Sequence, residues 1–581
     1  MSIAGSSYDK HPGLPVRVGE QCAWQGWAAI IDRLRGSVQQ RARRIAIECY
    51  PGVLTDHIES ELGQALPDCL MIRAQCAWKS PAEIERMVKR DLTEDPVFGR
   101  MNGLSIDDFL DSHRLETLGA EIRSSSRPVL VVGTGAFATC PEPDLLVYAD
   151  LPRWEIQQRQ RAGLIGNLAA DNLCERPALK YKRGFFLDWR VADRIKKPLL
   201  GRLDFLLDTT DDASPKMITG EAFRTGLRTA VGRPFRLVPF FDPGPWGGQW
   251  MREVCGLDRE KPNFAWCFDC VPEENSLVLE YGDVCVEIPA IDLVFQHPRE
   301  LLGDAVHARF GTEFPIRFDF LDTMGGGNLS LQVHPLTEYI QDRFGMHYTQ
   351  DESYYLLDAA PDATVYLGLK ENADARQMIR DLREAQAGGA AFDAERYVNK
   401  WPAAKHDHFL IPAGTIHCSG KNSMVLEISA TPYIFTFKLW DWGRLGLDGR
   451  PRPIHLDHGI ANLQWDRDTD WVRKNLVNRI ERLAEGPGWI EERTGLHERE
   501  FIETRRHWFE APVVHHTRGG VHVLNLVEGE AAVVDSPSDA FEPYVVHYAE
   551  TFIIPARVGE YRIRPHAGVS RCATIQASVR H

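Results

Sequence analysis

The feature of the sequence that most constrains the fold is a change in its apolar pattern near residue 235. Before that point, apolar runs that end in Pro-Gly or glycine turns alternate with polar helical stretches. The clearest of these runs read RRIAIECYPGV (43–53), RPVLVVGTGAF (127–137) and PDLLVYADLPRWEIQQRQRAG (143–163). Buried strands that alternate with helices are typical of an α/β unit with a parallel sheet. We therefore predict such a domain over residues 41–230, after an N-terminal tail or first helix over residues 1–40.

The region beyond residue 235 has the pattern of an all-β protein. Short strand-like runs are separated by Gly, Pro and Asp, as in sandwiches and barrels. They read SLVLEYGDVCVEIP, NLSLQVHP, ATVYLGL, HFLIPAGTIH, SMVLEIS and YIFTFKLW. We predict a β domain over residues 235–500 and a second β lobe over residues 501–581. HFLIPAGTIH (408–417) and TFIIPARVGEY (551–561) share a strand, a Pro-containing turn and a strand, which suggests duplicated barrels.

One helical insert interrupts the β region. In the stretch ENADARQMIRDLREAQAGG, apolar residues recur on one helical face at Ala375, Met378, Ile379 and Leu382. Gly388 offers a C-terminal stop. The sequence therefore predicts a multidomain protein in which an α/β domain precedes an all-β region with a helical insert.

Length and charge limit the classes of function. At 581 residues the chain is too long for one ordinary domain. Its formal charge of −15 and pI near 5.8 argue against a nucleic-acid or anionic-membrane binder, whose surface would be basic. No apolar run reaches the length of a membrane span, and the N-terminal stretch lacks the apolar core of a signal peptide. These features predict a cytoplasmic protein without a nucleic-acid or membrane partner, and they leave a homo-oligomer open.

Cysteine usage points to a reducing compartment. The twelve cysteines are scattered, and the close pair Cys267 and Cys270 has no second pair with which to complete a zinc site. We predict reduced and mostly packed thiols.

Four polar residues punctuate the apolar β runs and could form a metal site. In LSLQVHP, Gln332 and His334 are two residues apart, so a strand would present both on one side. Glu352 and His417 lie near other strand-like runs. Two imidazoles, a carboxylate and a carboxamide oxygen suit a borderline divalent metal such as zinc. Spacing alone leaves this interpretation open beside that of packed, hydrogen-bonded histidines.

Four motifs in order resemble the type I mannose-6-phosphate isomerase family, which consists of zinc-dependent cupins. They read LSLQVHP, DESYYLLDAAPDATVYLGLKE, FLIPAGTIHCSGKNSMVLEIS and TFKLWDWGRLGLDGRPRPIHL. Weaker similarity extends over roughly 235–581. The resemblance implies a bicupin, that is two double-stranded β-helices, in which Gln332, His334, Glu352 and His417 bind one zinc ion per chain. Glu338, four residues after His334, is a rival for the carboxylate ligand, but the sequence after Glu352 continues the family match.

The family reaction moves a proton between C1 and C2 of an opened sugar phosphate through an enediol(ate). The resemblance thus implies interconversion of mannose 6-phosphate and fructose 6-phosphate, with a small-molecule sugar phosphate as partner. Lys438, where the family commonly has arginine, and Arg444 are candidates for proton transfer or phosphate contact. Glu427 is a further catalytic candidate, and Lys370 a candidate for substrate binding.

The sequence departs from the family in ways that concern the substrate. Leu336 and Thr337 follow QVHP where some members have a charged residue, Lys438 replaces arginine, and three glycines occupy positions 325–327. These changes leave two alternatives open: an isomerase for a different phosphorylated sugar, and a non-catalytic cupin that senses sugar phosphate. The C-terminal lobe has no Gln-x-His pair, so we predict that it is metal-free and that His522 is an ordinary barrel residue.

Residues 41–230 resemble P-loop nucleoside kinases of the uridine kinase type. The phosphate loop is missing, because ECYPGVLTDH has one glycine and no Gly-Lys-Ser/Thr. We therefore predict a degenerate, P-loop-like domain without kinase activity. For YKRGFFLDWRVADR (181–194) we favour a solvent-facing helix with an apolar underside over a ligand surface.

Overall fold

The computed structural model describes residues 6–19, 21–40, 42–495 and 497–580. The chain forms two compact units, and each is assembled from separate segments. The α/β unit comprises Gly13–Ala230 and Pro272–His297. The β unit comprises Val231–Val271 and Pro298–His581, together with the segment that ends at Pro12. The multidomain organisation predicted from the change in apolar pattern is therefore present.

The first 230 residues contain alternating strands and helices. Their bounds are β1 (Gly13–Pro15), β2 (Ala23–Gln25), α1 (Trp27–Gln39), β3 (Arg44–Cys49), α2 (Thr55–Ala65), β4 (Leu70–Arg73), α3 (Pro81–Leu92), α4 (Ser112–Ser124), β5 (Val129–Gly133), α5 (Ala136–Thr139), β6 (Leu145–Asp150), α6 (Arg153–Arg161), α7 (Pro177–Arg183), α8 (Trp189–Leu200), β7 (Phe205–Asp208), β8 (Lys216–Thr219) and α9 (Gly220–Ala230).

A seven-stranded sheet forms the centre of the α/β unit, in the order β2-β8-β7-β6-β3-β5-β4. Strands β3 to β7 run parallel to one another, and β8 runs antiparallel to its neighbours β7 and β2. The parallel α/β architecture predicted for residues 41–230 is present, and it also uses β2 and α1 from the predicted tail. The central strands β5 and β6 are buried along their whole length, as their continuous apolar runs require. The P-loop-like character of the unit stays a prediction.

The helical segment over residues 181–194 is buried, so the prediction that it faces solvent is wrong. Helices α7 and α8 are joined by a π-helical turn over Gly184–Asp188, and nearly every residue of this segment is buried. Its basic side chains have partners inside the unit. Arg183 Nη1 lies 2.9 Å from Glu85 Oε2, and Lys182 Nζ donates to the Thr93 carbonyl at 3.2 Å. Pairing of this kind allows charged residues to be buried.

A buried ion cluster joins α8 to the sheet. Lys196 Nζ lies 2.6 Å from Asp150 Oδ2, at the end of β6, and 2.8 Å from Asp292 Oδ1. All three side chains are almost completely removed from solvent. Burial raises the pKa of Asp292 well above its ordinary value, although the charge of Lys196 opposes this effect. The cluster therefore depends on the lysine to compensate two buried carboxyl groups.

The chain next passes through the β unit and returns to the α/β unit. The elements are β9 (Phe240–Asp242), α10 (Trp250–Val254), β10 (Trp266–Cys270), β11 (Ser276–Tyr281), β12 (Val284–Pro289) and α11 (Ile291–Gln296). Strands β11 and β12 form a hairpin whose free edge pairs with β1. Residues 272–297, which lie inside the predicted 235–500 domain, thus belong to the α/β unit. The reason is hydrogen bonding between segments distant in sequence, which no local pattern encodes.

The remaining elements all belong to the β unit. They are α12 (Pro298–Leu302), α13 (Asp304–Phe310), β13 (Ile316–Asp322), β14 (Leu331–Val333), α14 (Thr337–Phe344), β15 (Glu352–Ala359), β16 (Thr364–Leu369), α15 (Ala375–Gln386), α16 (Ala394–Tyr397), β17 (Val398–Pro402), β18 (His408–Ile411), β19 (His417–Ser419), β20 (Ser423–Ala430), β21 (Phe437–Trp440), α17 (Leu456–Asn462), α18 (Thr469–Asn475), β22 (Glu481–Gly486), β23 (Trp489–Gly495), β24 (Ile502–Phe509), β25 (Val513–His516), β26 (His522–Glu528), β27 (Ala531–Asp535), β28 (Tyr544–His547), β29 (Thr551–Ile554), β30 (Glu560–Pro565) and β31 (Cys572–Val579).

The β unit has two lobes, each built from two antiparallel sheets. The first lobe pairs a sheet in the order β18-β15-β20-β13-β10-β9 with one in the order β17-β16-β19-β14-β21. The second lobe pairs the orders β22-β23-β24-β31-β26-β29 and β25-β30-β27-β28. The second lobe's sheet begins with β22, before the predicted boundary at residue 501. In both lobes, the strand before the Pro-containing turn lies in the six-stranded sheet and the strand after it in the other sheet, as the sequence echo suggested.

The helical insert is confirmed as α15. Met378 and Leu382 are buried, and Gly388 has a φ of 85°, which suits a glycine just beyond a helix end. Every one of the twelve cysteines is a free thiol, with Cys267 and Cys270 buried in β10. Within the described ranges, no helix is long and apolar enough to cross a membrane.

Candidate metal centre

Three predicted site residues lie side by side on the five-stranded sheet of the first lobe. Gln332 in β14 pairs with His417 in β19 on one side and with Lys438 in β21 on the other. Residues directly opposite in antiparallel strands point to the same face of a sheet. The sheet register therefore aligns Gln332, His417 and Lys438 in one row across three strands.

Glu352 and His334 complete a compact group with this row. The group combines His417 and Gln332 of one sheet with Glu352, the first residue of β15 in the facing sheet. Glu352 Oε1 lies 2.7 Å from His417 Nε2, and Glu352 Oε2 lies 3.1 Å from His334 Nε2. Gln332 Nε2 lies 3.2 Å from His417 Nε2. His334, Glu352 and His417 are buried, and among the described residues they are the group whose ligand atoms converge as a metal site requires.

Hydrogen bonds fix which nitrogen of each imidazole faces the carboxylate. His334 Nδ1 lies 3.1 Å from the Phe435 carbonyl, and His417 Nδ1 lies 2.9 Å from the Thr415 carbonyl. A carbonyl only accepts, so each Nδ1 carries the proton in the neutral ring and each Nε2 presents a lone pair. Such an outer partner is typical of histidines that bind metals.

The Nε2 lone pairs of both imidazoles point at the Glu352 carboxylate, which is itself an acceptor. A bound cation would stabilise this arrangement. His334 Nε2 and Glu352 Oε1 have no hydrogen-bond partner, although they are buried. Burial opposes a charge on His334, but the Glu352 carboxylate outweighs it and raises the pKa of His334. A divalent metal ion with affinity for nitrogen and oxygen would satisfy both imidazoles and the carboxylate. Rotation of the Gln332 amide by 180° would add its oxygen, so the donor set fits the predicted zinc site.

A polar network behind Glu352 holds the carboxylate in place. Gln350 Nε2 donates to Glu352 Oε2 at 3.0 Å and approaches Glu427 Oε1 at 3.5 Å. Glu427 also pairs with the guanidinium of Arg317. Burial and the neighbouring Glu352 raise the pKa of Glu427 to about 7. The geometry gives Glu427 a position behind the ligand, and its predicted catalytic role stays a prediction.

Three basic residues come from β21 and the segment after it: Lys438, which pairs with Gln332 in the sheet, Arg444 and Arg452. Arg444 Nη2 lies 2.8 Å from Asp441 Oδ1, and Arg452 Nη1 lies 3.0 Å from Asp441 Oδ2. Burial, and then the charge of Arg452, lower the pKa of Lys438 to about 7. A lysine with this pKa exchanges protons near neutral pH. The two arginines share one carboxylate, so the group carries net positive charge in a chain whose overall charge is −15.

Two other candidates lie apart from this group. Lys370 follows β16 and is exposed, and its backbone N–H donates to the Tyr397 carbonyl. Glu338 lies in the first turn of α14 and is also exposed. The structure therefore brings Glu352, and not its rival Glu338, to the two histidines. The substrate-binding role of Lys370 stays a prediction.

Sequence reasoning missed Arg452, Gln350 and Arg317. Arg452 lies within the fourth motif, and a count of basic residues near Lys438 would have found it. Gln350 precedes Glu352 by two residues, so strand alternation would have placed the two on one side. Arg317 comes from β13, far away in sequence, and carries no local signal.

The fold and the centre define a class: an all-β unit with paired antiparallel sheets and a buried His-Glu-His group suited to a divalent metal. Part of the chain is similar in sequence to mannose-6-phosphate isomerases. The enzyme of Streptococcus mutans is 30% identical over 219 residues, which are 37% of this chain and 63% of that enzyme. The match thus spans less than two thirds of that relative. Mannose-6-phosphate isomerase ManA of Bacillus subtilis is 26% identical over 235 residues, or 40% of this chain and 68% of the relative.

Among solved structures, the mannose 6-phosphate isomerase from Bacillus subtilis matches with a TM-score of 0.49 and 18% identity, covering 59% of this chain and 99% of that one. Residues 26–232, in the α/β unit, match a family model described as a domain of unknown function (DUF8485). The sequence similarity to mannose-6-phosphate isomerases is thus present over part of the chain, and the match to the domain of unknown function covers residues 26–232.

Proposed function

We propose that the β unit is a zinc-dependent aldose–ketose isomerase that interconverts mannose 6-phosphate and fructose 6-phosphate, with one zinc ion per chain. The observation that carries this proposal is the convergence of His334 Nε2 and His417 Nε2 on the carboxylate of Glu352. The sequence similarity to mannose-6-phosphate isomerases supports the choice of reaction. A cupin fold for both lobes belongs to the same proposal.

The metal would be held by Gln332, His334, Glu352 and His417. Gln350 would keep the Glu352 carboxylate oriented. When bound, zinc would stabilise the negative charge that develops on the C1 and C2 oxygens. Lys438 would move the proton between C1 and C2, because its lowered pKa makes the neutral amine available as a base. Arg444 and Arg452 would bind the phosphate, since planar guanidinium groups contact two phosphate oxygens at once.

The proposal is tested by turnover with a panel of phosphorylated aldoses, with and without a chelator. We expect mannose 6-phosphate to be converted to fructose 6-phosphate, a chelator to abolish conversion and added zinc to restore it. Turnover of another aldose phosphate in place of mannose 6-phosphate would indicate an isomerase for a different phosphorylated sugar. Protein that retains zinc and binds sugar phosphate but isomerises no substrate in the panel would indicate a non-catalytic cupin that senses sugar phosphate.

A pH profile tests the role of Lys438. Because its pKa is lowered to about 7, the neutral amine becomes dominant above that pH, and kcat should rise as pH increases through about 7. Lys438→Met should lower kcat by about 10²-fold or more and remove this rise. Lys438→Arg should keep phosphate affinity while losing the rise, because arginine stays protonated. Lys421→Met, at an exposed residue paired with Asp362, is the matched control. An unchanged profile in Lys438→Met would assign the proton transfer to another group.

A further inference from the structure

The interior of the second lobe changes from apolar to polar at one end. On several strands, the residue two positions along from a core residue, and therefore on the same face, is polar. His507 lies two residues before the core residue Phe509, and His515 lies two residues after Val513. His522 and Tyr561 lie two residues before Leu524 and Ile563. Gln576 occupies the equivalent place on β31, four residues after Cys572. We call His507, His515, His522, Tyr561 and Gln576 the polar mouth.

Sheet register and contacts bring the polar mouth together. His515 pairs with Tyr561, whose ring stacks on it at a centroid distance of 5.2 Å. The rings of His507 and His515 lie 4.5 Å apart. His522 Nδ1 lies 2.8 Å from the Tyr561 hydroxyl. The three histidines come from three different strands and meet in one interior space.

Two nitrogen atoms of this cluster are buried without a partner. His507 Nδ1 and His515 Nε2 have no hydrogen bond, whereas His507 Nε2 lies 3.4 Å from Glu491 Oε1. A buried polar atom without a partner costs roughly 1–3 kcal/mol. Apolar residues at these inward positions would simply have continued the core that Phe509 and Val513 begin. The retention of unsatisfied imidazoles therefore indicates a ligand.

The polar mouth opens into a cavity of about 380 Å³, which is lined also by Thr517, Ser578, two glutamates (Glu491 and Glu503) and three arginines. Arg505 bridges Glu491 and Glu503, while Arg518 is exposed at the rim. Arg580 donates to backbone carbonyls of the neighbouring segment. The volume suits a small molecule, and three arginines against two glutamates give the lining a net positive charge.

The charges around the histidines favour an anion over a metal cation. Burial, and then the neighbouring His507 and Arg505, lower the pKa of His522 to about 3. Burial and His507 likewise hold the pKa of His515 well below its ordinary value. These rings are neutral donors at pH 7 in positive surroundings. In the part of the chain that the structure describes, their ligand atoms do not converge as those of His334, Glu352 and His417 do.

We propose that the polar mouth binds a small oxyanion of the phosphate class, either the free ion or a phosphate carried by an organic molecule. The imidazole N–H group of His515 and the amide of Gln576 would donate to its oxygens, and Arg518 would supply the charge. This site is separate from the metal centre of the first lobe, and its occupancy does not depend on isomerase activity.

The test is calorimetric titration of the full-length, zinc-loaded protein with inorganic phosphate. We expect saturable binding that His515→Ala and Arg518→Ala each weaken by about tenfold or more. Arg518 is exposed, so its substitution tests the charge without disturbing the core. His566→Ala, at an exposed histidine of the same lobe, should leave the affinity unchanged. The His417→Ala variant should also retain phosphate binding, which separates this site from the metal centre.

Fructose 6-phosphate serves as the second probe in the His417→Ala background. Binding tighter than that of inorganic phosphate, and weakened by the additional substitution His515→Ala, would identify an organic phosphate as the ligand of the polar mouth, whereas equal binding would identify the free ion. Both outcomes support the site. It would be overturned by the absence of saturable binding up to about 10 mM, by affinity unaffected in both variants, or by a second equivalent of zinc that His515→Ala removes.

Discussion

Replacing His417 with alanine is expected to remove the metal and the isomerase activity together. His417 presents its Nε2 atom to the Glu352 carboxylate, and it lies beside Gln332, the central residue of the row that also contains Lys438. Without it, Glu352 Oε1 loses the imidazole that lies 2.7 Å away, and the donor set falls to three. We expect the zinc content to fall from about one equivalent to a trace and kcat to fall by about 10³-fold or more. Metal analysis and the coupled isomerase assay measure the two effects.

Two further variants make this prediction sharper. Glu352→Gln keeps the shape of the side chain and removes its charge, so it should reproduce both losses. His113→Ala, at an exposed position on α4, controls for the general effect of removing a histidine. Turnover that survives in His417→Ala would show that the ligand assignment is incorrect. Zinc retained at one equivalent, with turnover lost, would instead place His417 among the groups that contact substrate.

The largest effect on stability is expected from Lys196→Met in the α/β unit. The change leaves Asp150 and Asp292 buried without their shared cation, and breaking a buried pair in this way costs about 3–5 kcal/mol. We expect the thermal transition of the unit to fall by about 10 °C at pH 7. Lys89→Met, at an exposed position in the last turn of α3, is the matched control and should change the transition little.

The pH dependence distinguishes charge from packing as the cause. In the variant, the pKa of Asp292 would lie above that of the unfolded chain, because burial raises it and no lysine opposes the effect. Such a group favours the folded state at low pH, and that contribution is lost as pH rises through its folded pKa. The difference from the wild-type protein should therefore shrink between pH 7 and pH 5. A difference that stays constant with pH would assign the loss to packing.

The convergence of the candidate metal ligands could be anticipated from sequence because each of these residues lies on or next to a short strand with a recognisable motif. Gln332 and His334 required only strand alternation, and motif order supplied Glu352 and His417. The supporting residues were harder to predict because their roles arise from contacts. Arg317 reaches Glu427 across neighbouring strands, and Arg452 reaches Asp441 from beyond a turn-rich stretch. Such contacts depend on sheet register, which a single sequence does not specify.

The same limit explains the polar mouth and the helix over residues 181–194. His507, His515 and His522 look like isolated strand residues, and only the pairing of strands into two sheets brings them together. In the helix, basic residues suggested a solvent face, but Arg183 has a carboxylate partner and Lys182 a carbonyl partner inside the unit. Local composition predicts exposure correctly only where charged groups have no buried partner.

Because each unit is assembled from separate chain segments, the order of folding during synthesis and the exchange of domains between genes are both constrained. The chain begins in the β unit, enters the α/β unit at Gly13, leaves it after Ala230 and supplies it again with Pro272–His297. The α/β unit therefore cannot complete its folding on the ribosome until residue 297 has emerged. A chain shortened to begin at residue 231 would still carry the β11–β12 hairpin, deprived of β1. The two units are consequently not exchangeable modules, and a single cut in the gene cannot separate them cleanly.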